Sequence, residues 1–251
     1  LDDQLLQTLL PTLAERVFEL LFLRPDDFNG QDIANVIWSC GELQARGAPV
    51  SPLLDLLPVL SEVAVKRAAV MKEQDLSNVM WSCAMLQKGD TPVPALLDIM
   101  PVVSAFAEKR ADTMTALDIA NTLWAVSLLK DEVDVAAGLS PELARVTLER
   151  SPTWKAKDVE MDLPMIAAAL ARLEDRQQQP LLKAIAKRLH GTLGLQNDWR
   201  LCALMWSFTE VFKEVEVGVF RELLRAEVQR RGLSEELVLR SQLGPQEWKT
   251  R

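Results

Sequence analysis

The chain has 251 residues, and 49% of them are hydrophobic, so it can bury a large core without any disordered region. Its 36 acidic and 28 basic side chains give a formal net charge of −8, which opposes nonspecific attraction to phosphate backbones or anionic lipid. No run approaches about 18 uninterrupted apolar residues, the length that a membrane-spanning helix needs.

The N-terminal segment is predicted to be a helix that belongs to an incomplete repeat. Residues 5–21 read LLQTLLPTLAERVFELL, and the Leu-Leu-Pro motif returns in later helices, as in the second helix of a unit whose first helix is absent. The chain begins at Leu1 and has no basic, serine-rich leader. We therefore expect a processed mature protein or a fragment, without a transit peptide in this chain.

One phrase then returns at a fixed interval. It reads DIANVIWSC in residues 32–40, DLSNVMWSC in residues 75–83 and DIANTLWAV in residues 118–126. Its tryptophans are spaced 43 residues apart, at Trp38, Trp81 and Trp124. A constant period of this size predicts a supersecondary unit stacked on copies of itself, whose function lies on a repeated surface and not in a pocket.

Each unit is predicted to hold two helices. The first, helix A, carries the repeated phrase and covers roughly three segments, at residues 30–45, 73–88 and 116–130. The second, helix B, covers roughly residues 51–69 and 94–112. Because Pro58 and Pro101 fall inside helix B, we expect a bend there, or a short helix followed by a longer one.

Capping residues predict where two of the three helices A begin. Asn29 with Asp32, and Thr115 with Asp118, place a capping side chain three residues before an acidic one, where the helix dipole favours negative charge. The second repeat departs from this pattern, because Lys72 occupies its cap position.

The period weakens beyond residue 150, where residues 161–173 and 201–212 match helix A, and residues 179–193 and 217–231 are the expected helix B equivalents. The predicted fold class is all-α: a right-handed α-solenoid of about five helix-turn-helix repeats of 38–43 residues, in a single domain over residues 1–231. Its predicted parts are a half repeat at 1–24, repeats at about 25–69, 70–112, 113–150, 156–193 and 197–231, and a polar C-terminal tail at 232–251.

The asparagines of the phrase form what we call the asparagine row: Asn35, Asn78 and Asn121. Each amide can bond a neighbouring backbone and fix the stacking register, or it can offer a donor and an acceptor to a base edge. The structural interpretation is favoured, because a residue that is the same in every repeat carries little sequence-specific information. Positions that vary between repeats are expected to discriminate between partners: Ser39, Ser82 and Ala125 at one position, and Glu42, Met85 and Leu128 at another.

The tryptophans of the phrase also have two interpretations. An indole face can stack on an unpaired base, but a tryptophan beside the apolar stripe of a helical repeat is typical of the core between repeats. We expect the core role, and a loss of about 3–5 kcal/mol of stability for each tryptophan removed.

Basic residues are concentrated towards the C-terminus. Residues 1–150 carry 22 acidic and 12 basic side chains, whereas residues 151–251 carry 14 and 16, so the C-terminal part is the better place for anion contacts. The candidates for tracking phosphates lie in two helical groups: Lys183, Lys187 and Arg188, and Arg221 and Arg225. Solvated helix faces are the alternative interpretation.

Signals of catalysis are missing from the sequence. The one histidine, His190, lies in a basic amphipathic segment, and there is no Cys/His metal spacing, glycine-rich phosphate loop or nucleophile elbow. Cys40 and Cys83 occupy the same register of stacked helices roughly 9–10 Å apart, so we expect buried packing residues and not a disulfide. We therefore expect no enzyme activity, no metal and no cofactor.

The repeated phrase D-[IL]-[AS]-N-x-x-W-[SA]-x-x-x-L, in residues 32–43, 75–86 and 118–129, resembles the helical signature of octotricopeptide-type repeats. It is also similar to the related leucine-rich region of FAST-kinase-like and RAP-domain proteins. The resemblance covers roughly residues 5–212. It implies an α-solenoid of the mitochondrion or chloroplast that binds organellar transcripts and supports RNA processing, stability, translation or ribosome assembly.

Two functions follow as expectations. The first is a non-enzymatic factor, imported into the matrix or stroma, that binds single-stranded organellar RNA along the helix A face. The alternative is a protein–protein scaffold, or a structural subunit of an organellar ribosome or energy-converting complex, that receives basic segments of its partners. In either case we expect a monomer or a component of a larger complex.

Overall fold

The computed structural model describes residues 3–48, 50–89 and 92–243, and all regular secondary structure in these ranges is helical, which confirms the all-α prediction. Thirteen α-helices follow one another in these ranges. They are α1 (Asp3–Leu23), α2 (Gly30–Ala45), α3 (Ser51–Leu54), α4 (Leu57–Arg67), α5 (Glu73–Gln87), α6 (Met100–Lys109), α7 (Ala116–Leu128), α8 (Ala136–Arg150), α9 (Ala156–Leu173), α10 (Gln179–Leu189), α11 (Asp198–Trp206), α12 (Gly218–Arg230) and α13 (Glu235–Arg240).

The three helices A are α2, α5 and α7. Helices α2 and α7 begin where their capping residues predict, and α5 begins directly after Lys72. Asp32 N–H donates to Asn29 Oδ1 at 3.0 Å, and Asn29 N–H donates to Asp32 Oδ2 at 3.0 Å, so the capping box is complete. The same reciprocal pair forms between Thr115 and Asp118 before α7. At α5 the acidic residue alone acts, because Asp75 accepts from the main-chain N–H of Lys72 at 2.9 Å. The amide groups at each helix start are thereby partly satisfied.

Helix B is divided in two, as the prolines predict. The short α3 precedes α4 in one unit, and a single 3₁₀ turn at Pro94–Leu96 precedes α6 in the next. Pro58 and Pro101 lie in the first turn of α4 and α6, where a missing N–H leaves no helical hydrogen bond broken. Each proline therefore starts the longer helix and does not bend it.

The chain divides into two compact units, residues 1–139 and 140–251, with the boundary inside α8. The repeat pattern alone predicts one domain over residues 1–231. In the first unit α2 packs on α5, and α5 packs on α7, while α4 and α6 pack against α2 and α5 respectively. Gly41 marks a close approach between α2 and α5, because a Cβ added there would lie 2.8 Å from the Cβ of Ser82.

In the second unit α9 packs on α10 and α11, and α11 packs on α12 and α13. Part of the segment predicted as a polar tail is helical here, since Ser234 caps α13 and the side chain of Val238 is buried. Trp199 Nε1 also donates to Ser241 O at 3.1 Å, which holds this segment against α11. The last part of the predicted tail, residues 244–251, lies outside the described residues.

Candidate nucleic-acid interface

The asparagine row lies at one register of three consecutively packed helices. Asn35 is on α2, Asn78 on α5 and Asn121 on α7, and these helices pack in that order within the first unit. Asn35 is exposed, and the other two are half-buried. The row therefore places three equivalent amides where a ligand can reach them.

The amides of the row are not used by the fold. None of the three side chains forms a hydrogen bond with another described residue. Only the main chain takes part, where Asn35 O and Asn78 O accept from Ser39 Oγ at 2.8 Å and Ser82 Oγ at 2.6 Å. The favoured interpretation required these amides to fix the stacking register, and the described part of the chain contains no bond of that kind. Each amide keeps one acceptor and two donors for a ligand.

Burial of the repeated tryptophans increases from α2 to α5 to α7. Trp38 is 38% exposed, Trp81 is half-buried, and Trp124 is only 2% exposed. The core role expected for all three therefore holds fully for Trp124 alone. Trp38 and Trp81 keep accessible indole surface three residues after an asparagine, on the same side of their helices. This spacing is the sequence signal that could have placed them in the candidate site.

The variable positions beside the row are only partly accessible. Ser39 is exposed, and Glu42 and Met85 are half-buried. The remaining predicted partner contacts are buried and must be removed from the site, namely Ser82, Ala125 and Leu128. Ser82 shows the physical reason, because α5 lies between two other helices A and Ser82 meets Gly41 of α2.

The carboxylates of helix A are satisfied within the first unit. Asp118 Oδ1 accepts from Ser77 Oγ at 3.0 Å, and its Oδ2 accepts from the N–H of Thr115 at 2.9 Å. At the exposed end of α2, Glu42 pairs with Arg46 at 2.8 Å. Arg46 offsets the negative charge of Glu42, whereas the donors to Asp118 are neutral and bring no positive charge to it.

Arg221, predicted to contact phosphate together with Arg225, is committed to the fold of the second unit. Its guanidinium donates to four main-chain carbonyls, at 2.6–2.9 Å: those of Phe208, Phe212, Lys213 and Val215. These carbonyls belong to the π-helical turn and the loop after α11, where regular helical bonding stops. Arg221 is thus a positioning residue for this loop.

The other predicted phosphate contacts differ in availability. Lys183 Nζ lies 3.4 Å from Glu216 Oε2, and half-buried Arg188 donates to Trp154 O at 3.2 Å. Lys187 and Arg225 are exposed, and neither has a hydrogen-bond or ion-pair partner among the described residues. Together with Lys183, which is also exposed, these two are the accessible members of the predicted set.

The three thiols are free and buried. Desolvation raises the pKa of Cys40 and of Cys202 to about 12, and it also raises the pKa of Cys83. The thiolate needed for nucleophilic attack is therefore scarce at neutral pH.

The described residues contain neither a candidate metal site nor a candidate membrane-spanning helix. In the ranges that the structure covers, no group of three His, Cys, Asp or Glu side chains is placed to hold a metal ion. Within the same ranges, no helix is both long and apolar enough to cross a membrane.

Comparisons with known proteins do not identify a family. No protein-family model, curated protein or solved structure matches this chain.

Proposed function

We propose that this chain is a non-enzymatic helical-repeat protein that binds single-stranded RNA along the asparagine row. The proposal rests on three accessible side-chain amides that lie at one repeated register and have no hydrogen-bond partner among the described residues. An amide presents a donor and an acceptor side by side, which matches the edge of an unpaired base. The resemblance to octotricopeptide-type repeats supports the same ligand class.

Each repeat offers a small set of groups to one nucleotide. In helical-repeat proteins that read RNA, two or three side chains of one repeat contact one base. In the first two units these are the asparagine amide, the accessible indole of Trp38 or Trp81, and one variable side chain, Glu42 or Met85. The indole supplies stacking worth about 1–3 kcal/mol per base without sequence preference. Discrimination between bases then falls to the variable position.

The charge of the chain sets the expected salt dependence. A net charge of −8 makes long-range attraction to RNA unfavourable, so base contacts must supply most of the affinity. Each phosphate that a cation neutralises contributes about −0.7 to the slope of log K against log salt for a single strand. Because acidic side chains outnumber basic ones in residues 1–150, which include the asparagine row, we expect a shallow slope.

The repeat architecture and the cellular location form part of the proposal. We propose that the helix pairs continue as a right-handed solenoid of about five repeats, which is supported by the packing of α2 on α5 on α7 and of α9 on α11. Small-angle X-ray scattering of the protein tests this, because a solenoid gives an elongated particle.

Location in a mitochondrion or chloroplast is supported by the family resemblance alone, and fractionation of the cells that make the protein tests it.

Fluorescence anisotropy with labelled single-stranded RNA tests the function. A pool of random 15-mers is titrated at several salt concentrations with the natural chain and with the triple variant Asn35→Ala, Asn78→Ala and Asn121→Ala. We expect micromolar or tighter binding by the natural chain, and at least a tenfold weaker affinity for the triple variant. The fold should be unchanged, since these side chains bond no described residue.

A matched control removes amides elsewhere. Gln177, Gln178 and Gln229 lie outside helix A and are exposed or half-buried, so changing all three to Ala should leave RNA affinity unchanged. No binding at low salt, or equal losses in the two triple variants, would overturn the RNA proposal. The absence of binding would leave the protein scaffold as the function to test.

A further inference from the structure

A further variable position lies four residues before each asparagine of the row. It is held by Gln31 in α2, Gln74 in α5 and Leu117 in α7, each of which is the second residue of its helix. Residues four apart lie one above the other on a helix surface, so this position shares a face with the asparagine and with the tryptophan that follows it. We call these three residues the leading position.

The leading position is exposed in every helix A of the first unit. Gln31 and Gln74 are exposed, and Leu117 is 53% exposed. The asparagine, tryptophan and variable positions of the same face become half-buried or buried from α2 to α7. Because α5 and α7 each have another helix A packed before them, exposure of the leading position is a property of the repeat and does not arise from the open place in front of α2.

The two glutamine side chains take no part in the fold. Neither amide forms a hydrogen bond with another described residue, and only the main-chain carbonyl of Gln74 is used, where it accepts from Ser77 Oγ at 3.1 Å. Each amide keeps one acceptor and two donors for a ligand, beside those of Asn35 or Asn78. The first two repeats therefore present two amides on one face, whereas the third presents one amide beside a leucine.

The carboxylates that follow the glutamines are committed to the helix starts. Asp32 Oδ2 accepts from the N–H of Asn29 at 3.0 Å, and Asp75 Oδ2 accepts from the N–H of Lys72 at 2.9 Å. The glutamine amides are thus the polar groups at these helix starts that have no partner in the described part of the chain.

Adenine is the base that such a pair of amides matches best. An amide presents a donor and an acceptor side by side, and adenine presents the complementary pair on two edges, as the N6 amine beside N1 and beside N7. On the edge that carries N7, guanine presents two acceptors, and the corresponding edge of cytosine or uracil presents a single hydrogen-bonding group. A repeat with two amides on one face therefore has more ways to pair with adenine than with another base.

We propose that Gln31 and Gln74 are specificity-determining residues of the RNA site, and that the repeats that carry them select adenine. This inference rests on the RNA-binding function proposed above. The glutamines act at one end of the face, and the variable side chains Glu42 and Met85 lie at its other end. The third repeat has Leu117 at the leading position, so it contacts RNA without selecting adenine.

Fluorescence anisotropy with four pools of labelled RNA 15-mers tests the proposal. One pool contains uridine alone, and the others are random mixtures of uridine with adenosine, cytidine or guanosine. The natural chain should bind the adenosine pool at least about fivefold more tightly than each of the other pools, because a bidentate amide contact discriminates between bases by roughly that factor or more.

Substitutions at the leading position make the test specific. The double variant Gln31→Leu and Gln74→Leu should bind the adenosine pool no more tightly than the uridine pool, and Leu117→Gln should increase the preference of the natural chain for adenosine. All three side chains are exposed, and leucine and glutamine have similar helix propensities, so urea unfolding midpoints should not change.

A matched control changes two other exposed glutamines in the same way. Gln177 and Gln229 lie outside helix A, so the double variant Gln177→Leu and Gln229→Leu should bind all four pools as the natural chain does.

The outcomes separate this inference from the proposed function. Equal binding of all four pools that is still lost in the triple asparagine variant would leave RNA binding in place and overturn the selection of adenine. A preference for the cytidine or guanosine pool, or equal weakening of all pools by the Gln31→Leu and Gln74→Leu variant, would also overturn the selection. No binding of any pool at low salt would overturn both proposals.

Discussion

Replacing each repeated tryptophan by alanine makes the same chemical change at three positions that differ in burial. Trp38 is 38% exposed, Trp81 is half-buried and Trp124 is 2% exposed, although the three have the same register in α2, α5 and α7. Each replacement removes buried apolar area and leaves a cavity, and both effects are larger for a more buried tryptophan. The loss in the free energy of unfolding should therefore increase from Trp38 to Trp81 to Trp124.

The magnitude follows from the exposed fractions. Those of Trp38 and Trp124 differ by 36 percentage points (38 minus 2), which is about 70 Å² of a tryptophan that can bury roughly 200 Å². At about 25 cal/mol per Å², this area is worth about 2 kcal/mol. Trp124→Ala should cost about 3–5 kcal/mol, as in closed cores, and Trp38→Ala about 1–3 kcal/mol. Trp81→Ala should lie between them.

Urea unfolding followed by far-ultraviolet circular dichroism measures the series, because helix content does not depend on the indole removed. At a constant m-value, the shift in midpoint gives the loss in the free energy of unfolding. Equal losses for Trp38→Ala and Trp124→Ala would refute the reasoning, since they would show that the two side chains are equally buried in solution.

Three further changes test other parts of the structure. Gly41→Ala should lower the free energy of unfolding in urea by about 1–2 kcal/mol, because the new Cβ would lie 2.8 Å from the Cβ of Ser82. This loss should exceed the gain from the better helix propensity of alanine. An unchanged or higher free energy of unfolding would contradict the close approach of α2 and α5. Arg221→Ala should cost about 2–3 kcal/mol, whereas exposed Arg225→Ala should cost close to nothing, and equal unfolding midpoints would contradict the role of Arg221. Hydrogen bonds from Arg230 and Arg231 lower the pKa of Glu227 to about 2. The stability that these bonds provide is therefore complete above about pH 4.5 and is lost as the pH falls through about 2. The variant Glu227→Gln should flatten this decline in urea midpoints measured from about pH 5 to about pH 2, and an unaltered pH profile would contradict the role of Glu227.

Features set by local interactions could be predicted from the sequence. The starts of α2 and α7 depend on capping residues three positions from an acidic side chain, and both lie within one short segment. Pro58 and Pro101 similarly mark where the longer part of helix B begins. Such signals depend on a few neighbouring residues, so no knowledge of tertiary packing is needed to interpret them.

Accessibility of the site could not be predicted in this way. A helical wheel places Ser39 and Ser82 on the same face, but Ser82 is buried because another helix covers it. The same limit explains Trp38 and Trp124, which both follow an Asp-Ile-Ala-Asn segment and yet differ in burial. The structural role of Arg221 could not be predicted either, because its carbonyl partners lie in the irregular turn after α11, which the helical period does not indicate.

The most direct test of the central claim is photo-crosslinking of the chain to single-stranded RNA that contains 4-thiouridine, followed by mass spectrometry of the linked peptides. We expect crosslinks within α2 and α5, at or beside Asn35, Trp38, Asn78 and Trp81, and their loss in the triple asparagine variant. Crosslinks confined to residues 140–243, or crosslinks that persist unchanged in that variant, would contradict it.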